Sequence, residues 1–142
     1  MNVARIINEK GRQVVTTALD TTLADVAAIL AEKRIGAVIV AEGGAIRGIL
    51  SERDIVRALA RDGAKALGML AADCMTEKVM TCRPDDTIHD VMQTMTSGRF
   101  RHVPVVEAGQ LVGIVSIGDV VKWRIEEVEQ EANQIRDYIA TA

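Results

Sequence analysis

The sequence repeats itself. Laid over itself with a shift of 65 residues, positions 14–57 and 79–122 agree at 16 of 44 places without a gap. The identical pairs include Thr16 and Thr81, Asp20 and Asp85, Thr22 and Thr87, Asp25 and Asp90, and Arg34 and Arg99. Val38 and Val103, Gly48 and Gly113, Ser51 and Ser116, and Asp54 and Asp119 follow. Other positions exchange one aliphatic for another, as Leu23 for Ile88 and Ile46 for Leu111. Two copies of one supersecondary unit are the simplest source of such a pattern.

Each copy carries the same local signals. Val14 to Thr17 is short and β-prone. Thr22 with Asp25, and Thr87 with Asp90, form capping-box patterns that open a helix. The helix places Leu23, Val26, Ala27 and Leu30 on one face, and in the second copy Ile88, Val91, Met92 and Met95. Ala37 to Val40 is a continuous apolar run, which predicts a strand buried on both faces. Glu42-Gly43-Gly44 turns the chain, Ile46 to Leu50 returns as a strand, and Ser51 opens a second helix. Each copy therefore reads β-α-β-β-α. The fold class expected is α/β, with two pseudo-symmetric repeats packed sheet to sheet and a long C-terminal helix. The expected divisions are an N-terminal helical segment over 1–13, repeat 1 over 14–61, a linker over 62–78, repeat 2 over 79–124 and a helical extension over 125–142.

Composition narrows the function. Hydrophobic residues make up 49% and charged residues 26%, which suits a globular chain rather than a disordered one. Aromatics are only 2%, so the core must be aliphatic. The net charge of −3 argues against nonspecific nucleic-acid binding, which needs a positive surface. No apolar run approaches the roughly 20 residues that span a bilayer, and residues 1–10 do not read as a signal or transit peptide. A cytoplasmic protein without membrane partners is the expectation. Cys74 and Cys82 lack metal-motif spacing and read as two free thiols, with a disulfide or metal site as the alternative. His89 and His102 are not spaced as a metal pair.

The C-terminus adds an apolar stripe. Val121, Ile125, Val128, Ala132, Ile135 and Ile139 recur at spacings of 4, 3, 4, 3 and 4, with Glu126, Glu127, Glu129 and Glu131 outside it. That is a heptad seam of fewer than three heptads. It predicts either a homodimer contact or a helix folded back on its own domain. Trp123 reads as interface packing, and Met75, Met80, Met92 and Met95 as core filler. Pro104 within a strand implies an edge or an irregular position.

One element could carry chemistry. Gly48-Ile49-Leu50-Ser51-Glu52-Arg53-Asp54 returns as Gly113-Ile114-Val115-Ser116-Ile117-Gly118-Asp119. A serine at a strand-to-helix junction caps the helix, and an acid three residues on completes the box. The same geometry offers backbone N–H groups and a hydroxyl to a phosphate, and a carboxylate to a ribose diol. The residues alone are compatible with both readings.

With these two elements, with Gly98-Arg99-Phe100-Arg101-His102-Val103-Pro104-Val105-Val106, and with the matched caps, the chain resembles a tandem pair of cystathionine β-synthase (CBS) domains, a Bateman module. The resemblance runs from Val14 to about Arg124, in the form of small stand-alone bacterial CBS-pair proteins. It implies an adenosine-type ligand in a cleft between the copies: AMP, ADP or ATP, with NAD-like molecules and S-adenosylmethionine in the same set. It leaves any role of Mg²⁺ open. One site would use Asp119 on the ribose, Ser116 and Gly118 near the phosphate, and Arg101 and His102 as phosphate-binding cations. Thr21, Thr22, Ile35, Gly36 and Ala37 would line it. The second site would use Asp54, Ser51 and Arg53, with Thr87, Phe100, Arg101 and Asp86 opposite.

The copies differ where it matters. Gly36 and Ala37 stand where the second copy has Arg101 and His102. The Asp54 site thus lacks two cations, which Arg53 replaces only in part, and Asp86 would repel a phosphate. A charged hydrogen bond contributes about 1.5–3 kcal/mol, so the Asp119 site is expected to bind phosphate a hundredfold more tightly or better. The leading expectation is a regulatory module that senses an adenine nucleotide and signals through another protein. The alternative is a dimeric interaction scaffold that needs no ligand. An enzyme is not expected, because GxSxG, Walker A and HExxH sequences are absent.

Overall fold

The computed structural model describes residues 1–141. The chain divides into two compact units. One runs from Val14 to Val79; the other joins Met1–Gln13 to the chain from Met80 onward.

In the Val14–Val79 unit, β1 (Thr16–Thr17) lies parallel to β2 (Ala37–Glu42), and β2 pairs antiparallel with β3 (Ala45–Ser51). Gly43 and Gly44 make the β2–β3 turn with φ of 57° and 81°, angles that cost glycine little. Between β1 and β2 runs α2 (Leu23–Lys33), opened by the Thr22 hydroxyl, which accepts from the Asp25 N–H at 3.2 Å. The helix ends at Arg34, whose φ of 54° places a non-glycine residue in the left-handed region. Val38, Ile39 and Val40 are fully buried, as their unbroken apolar run predicts. After β3 come α3 (Glu52–Asp62), a 3-10 segment over Gly63–Gly68 and α4 (Ala71–Cys74). Segment 62–78 is structural in this unit, because Ala66 and Ala71 are buried in the core with Leu23, Val26, Leu30 and Leu50.

The other unit repeats this plan with α5 (Ile88–Gly98), β4 (His102–Glu107), β5 (Gln110–Ser116) and α6 (Ile117–Thr141). Thr87 caps α5 by accepting from the Asp90 N–H at 3.0 Å, and Arg99 ends it at φ 58°. Both β-hairpins shift register at the same place, between Val40 and Ala41 and between Val105 and Val106. The N-terminal α1 (Val3–Lys10) supplies Val3, Ile6 and Ile7 to the core of this unit, all fully buried with Ile88, Val115 and Trp123. Burying one such aliphatic side chain contributes about 1.5–3 kcal/mol, so α1 belongs to this unit's core.

Each unit is thus completed by the segment that precedes the other repeat. The backbone joins them in the same way. Ala71 N–H donates to Thr21 O at 2.7 Å, Ala72 N–H to Leu19 O at 3.0 Å, and Leu23 N–H to Met69 O at 2.9 Å. Val3 N–H donates to Asp86 O at 2.9 Å, Ala4 N–H to Pro84 O at 2.8 Å, and Ile88 N–H to Met1 O at 3.3 Å.

One strand is unequal. The β-prone stretch before α5 forms only an isolated parallel bridge, Cys82 to Val105, where its counterpart β1 pairs at two residues. In the first unit the Ile39 N–H donates to Val15 O at 3.1 Å. Pro104 occupies the matching position and has no N–H to give, so pairing begins one step later.

Candidate functional site

The repeated Gly-x-x-Ser-x-x-Asp element sits in both units where the second hairpin strand turns into a helix. Strand geometry keeps Ser51 and Ser116 extended, with the helix starting at the next residue. Asp54 Oδ2 accepts from Ser51 N–H at 2.9 Å and Ser51 Oγ–H at 3.1 Å, while Asp54 N–H donates back to Ser51 Oγ at 3.4 Å. Asp119 Oδ2 accepts from Ser116 N–H at 2.9 Å and Ser116 Oγ–H at 3.0 Å, and Asp119 N–H donates to Ser116 Oγ at 3.2 Å. The contacts are those of the capping reading: the serine caps the helix, and the cap fixes the carboxylate.

The glycine of the element has its own cause. A Cβ at Gly48 would lie 2.5 Å from Met75 Sδ and 2.9 Å from Thr76 O, and one at Gly113 would lie 2.9 Å from Ile7 Cγ2. The completing segment crosses the strand at that point in each unit and leaves no room for a side chain.

The surroundings of the two carboxylates differ. Asp119 Oδ2 also receives Lys10 Nζ at 2.5 Å, and the same ammonium donates to Ile114 O at 3.1 Å. The Asp54 Oδ1 accepts instead from a neutral donor, Thr76 Oγ1, at 3.3 Å. Burial pushes the Asp119 carboxyl up, but hydrogen bonds from Lys10 and Ser116, with the charge of Lys10, outweigh it and hold the group below its ordinary value. Lys10 was not anticipated as a site residue. Its sole sequence signal is a place in the last turn of a helix ending at Gly11, which says nothing of where that turn lands.

Arg101 and His102 fall in the same unit as Asp119 and beside its element. His102 pairs with Ser116 across the β4–β5 hairpin, and Arg101 O accepts from Ile117 N–H at 2.8 Å. Arg101 is exposed and His102 half-buried. Gly118 lies in the first turn of α6, beside Asp119. In the other unit Ala37 pairs with Ser51, and Gly36 O accepts from Glu52 N–H at 3.0 Å, which reproduces the backbone without the cations. Arg53 stands next to Asp54 in α3.

The remaining expected residues are distributed as follows. Thr21, Thr22, Ile35, Gly36 and Ala37 belong to the unit of Asp54. Thr21 Oγ1 accepts from Ala18 N–H at 3.2 Å, so this hydroxyl and that of Thr22 both serve local turns and caps. Thr87, Phe100 and Asp86 belong to the unit of Asp119. Thr87 caps α5, and the Phe100 ring covers Gly98. Asp86 Oδ2 accepts from Arg83 N–H at 2.8 Å.

Neither cysteine forms a disulfide; Cys82 is buried and Cys74 half-buried. No group of three or more His, Cys, Asp or Glu residues suited to a metal ion occurs among the described residues. No helix among them is long and apolar enough to cross a membrane.

Comparison with known proteins agrees with this architecture. The CBS-domain family model matches residues 4–61 and 71–126. The chain is similar to the mitochondrial CBS domain-containing protein CBSX3 of Arabidopsis thaliana, at 34% identity over 125 residues. That match covers 84% of this chain and 61% of the relative, so the chain spans less than two thirds of that protein's length. Among solved structures it resembles the CBS-domain containing protein ATU1752 of Agrobacterium tumefaciens, with a TM-score of 0.86 and 45% identity over 87% of this chain and 99% of that one. It also resembles the CBS domain protein PAE2072 of Pyrobaculum aerophilum, solved in complex with AMP, with a TM-score of 0.74 and 28% identity over 84% and 89% of the two chains. With both halves matched and the repeated strand-to-helix element present in each, the chain belongs to the CBS-domain family and is a CBS pair.

Proposed function

We propose that this protein is a regulatory module that binds an adenosine-type nucleotide through its Ser-x-x-Asp elements and passes the signal to a protein partner. The observation that carries the reading is the immobilised carboxylate at the head of α6, together with the cations on the adjoining strand end. Asp119 takes the ribose hydroxyls, which donate to its oxygens. The Ser116 hydroxyl, the N–H groups around Gly118, Arg101 and His102 take the phosphate, as a helix start and neighbouring cations suit an anion. Lys10 holds Asp119 Oδ2, so an incoming ribose either shares the carboxylate with it or displaces it.

Asp54, Ser51 and Arg53 form the second, weaker site, because Gly36 and Ala37 bring no cation to it. The complex of a related CBS pair with AMP supports the choice of ligand class. ADP, ATP, NAD and S-adenosylmethionine share the adenosine part and belong in the same test. Binding, and not catalysis, is the activity proposed: the Ser116 hydroxyl proton, which Asp119 accepts in the free protein, turns to the phosphate as the ribose hydroxyls take its place.

Native mass spectrometry of freshly purified protein, followed by thermal melting with each nucleotide, tests the reading. A retained adenosine-type mass, or a melting point raised by several degrees, is expected; a ligand at a hundred times its Kd adds about 2.7 kcal/mol. No retained mass and no shift with any of the five would leave the ligand-independent scaffold.

A further inference from the structure

The apolar stripe on α6 remains on the surface of the chain. Val120 and Trp123 anchor the start of the helix in the core, at 0% and 4% exposure. On the stripe, Val121 is 47%, Ile125 55%, Val128 46%, Ile135 62% and Ile139 69% exposed. These residues and Ala132 fill alternate a and d heptad positions, with Ile125, Ala132 and Ile139 at a. The flanking positions then carry Arg124 and Glu131 at g, and Lys122, Glu129 and Arg136 at e.

We infer that α6 is a self-pairing surface that takes a second copy of the same helix in parallel, in register. The occupant and its direction follow from charge. In a parallel pair each g residue meets the e residue five positions on in the other helix. Arg124 then meets Glu129 of the second copy, and Glu131 meets Arg136 of the second copy. Both pairs are attractive, and two-fold symmetry doubles them to four.

The antiparallel alternative that keeps all six apolar residues in contact sets Ile125 against Ile135 and Val128 against Ala132 of the second copy. It brings Glu131 against Glu131, Glu129 against Glu129, and Lys122 against Arg136. Every charged pair in it is repulsive. The ion pair of Arg124 with Glu127 uses one nitrogen of the guanidinium, and other N–H donors on the fork can reach a second acceptor. A seam of 19 residues is marginal as an isolated helix pair, but here the packed start of α6 already orders the first turns.

Cysteine trapping in the full chain tests the inference, in a Cys74→Ser background so that the buried Cys82 is the one native thiol. In parallel register, Ile135→Cys lies opposite itself within disulfide reach. The expected result is a dimer mass by light scattering, with rapid self-linking of I135C on mild oxidation. A mixture of I125C and I135C chains should give no hetero-linked product in excess of I135C self-linking. Glu131→Arg should weaken dimerisation about threefold to tenfold, and adding Arg136→Glu should restore it. Predominant I125C–I135C linking would establish the antiparallel pair and overturn the inference. A single-chain mass at tens of micromolar, or a dimer in which neither cysteine links, would overturn it too: another protein, or another face, then meets this stripe.

Discussion

Lys10 Nζ lies 2.5 Å from Asp119 Oδ2, joining residues 109 positions apart. The contact ties the end of α1 to the start of α6 within one unit, and it falls on the carboxylate assigned to the ribose. Lys10→Met removes the ammonium while keeping the aliphatic stem. The Asp119 carboxyl is then expected to titrate higher than in the parent, because burial, which raises it, meets fewer opposing contacts. Carboxyl-carbon NMR titration of both proteins checks this, and an unchanged midpoint would show that the contact is absent in solution.

The same group gives a pH dependence of stability. Its folded value lies below the ordinary 3.8. A depressed carboxylate adds stability that is fully present above the unfolded value and is lost as pH falls through the folded one. Denaturant melts should therefore show Asp119→Asn less stable than the parent at pH 7, with the gap closing below about pH 4. A gap that widens on acidification would contradict this sign.

Gly48→Ala and Gly113→Ala should both destabilise, by about 1–3 kcal/mol as overpacking does. Gly48→Ala meets a backbone oxygen, Thr76 O, at 2.9 Å, and Gly113→Ala meets a side-chain methyl of Ile7 at the same distance. The backbone yields less readily, so the Gly48 variant should lose more. Urea unfolding of the two variants measures the order. Equal stability to the parent would mean that the completing segments do not cross these strands.

The thiols should separate by reactivity. Burial, then the charge of Asp86, pushes Cys82 up to about 12. Burial raises Cys74 as well, with the Arg61 guanidinium opposing it. Since the thiolate is the nucleophile, Cys82 should resist a thiol reagent at pH 8 until the protein unfolds, while the more exposed Cys74 reacts first. Mass spectrometric mapping of the modified residue decides, and fast native labelling of Cys82 would refute the burial.

Much of the fold was legible because each copy states its signals twice. The Thr22 and Thr87 caps, the apolar run of β2 and the Gly43-Gly44 turn each specify one local geometry, and each formed. The completion of each unit by a segment outside its repeat was not legible from the 65-residue repeat. Val3 and Ala4 correspond in their bonding to Ala71 and Ala72, an offset of 68. At that offset Met1, Ala4, Glu9 and Lys10 match Met69, Ala72, Glu77 and Lys78, but the change of offset from 65 to 68 hides the correspondence, and the rest of the two segments shares only a backbone path. At the site, Ser116 and Asp119 were legible because a capping box is a local pattern. Lys10 was not, because its partner is set by how far α1 runs past the strand. The equivalent α4 stops at Cys74, short of Lys78, the residue that matches Lys10 at that offset. The missing strand pairing before α5 was foreshadowed by Pro104, whose lost N–H has a cost only when a neighbour offers a carbonyl.

The most direct test of the central claim is calorimetric titration of AMP into the parent, Asp119→Ala and Asp54→Ala, each checked for folding by circular dichroism. The account predicts that Asp119→Ala abolishes the tighter binding event and that Asp54→Ala leaves it intact. Loss of binding in Asp54→Ala with retention in Asp119→Ala would contradict it.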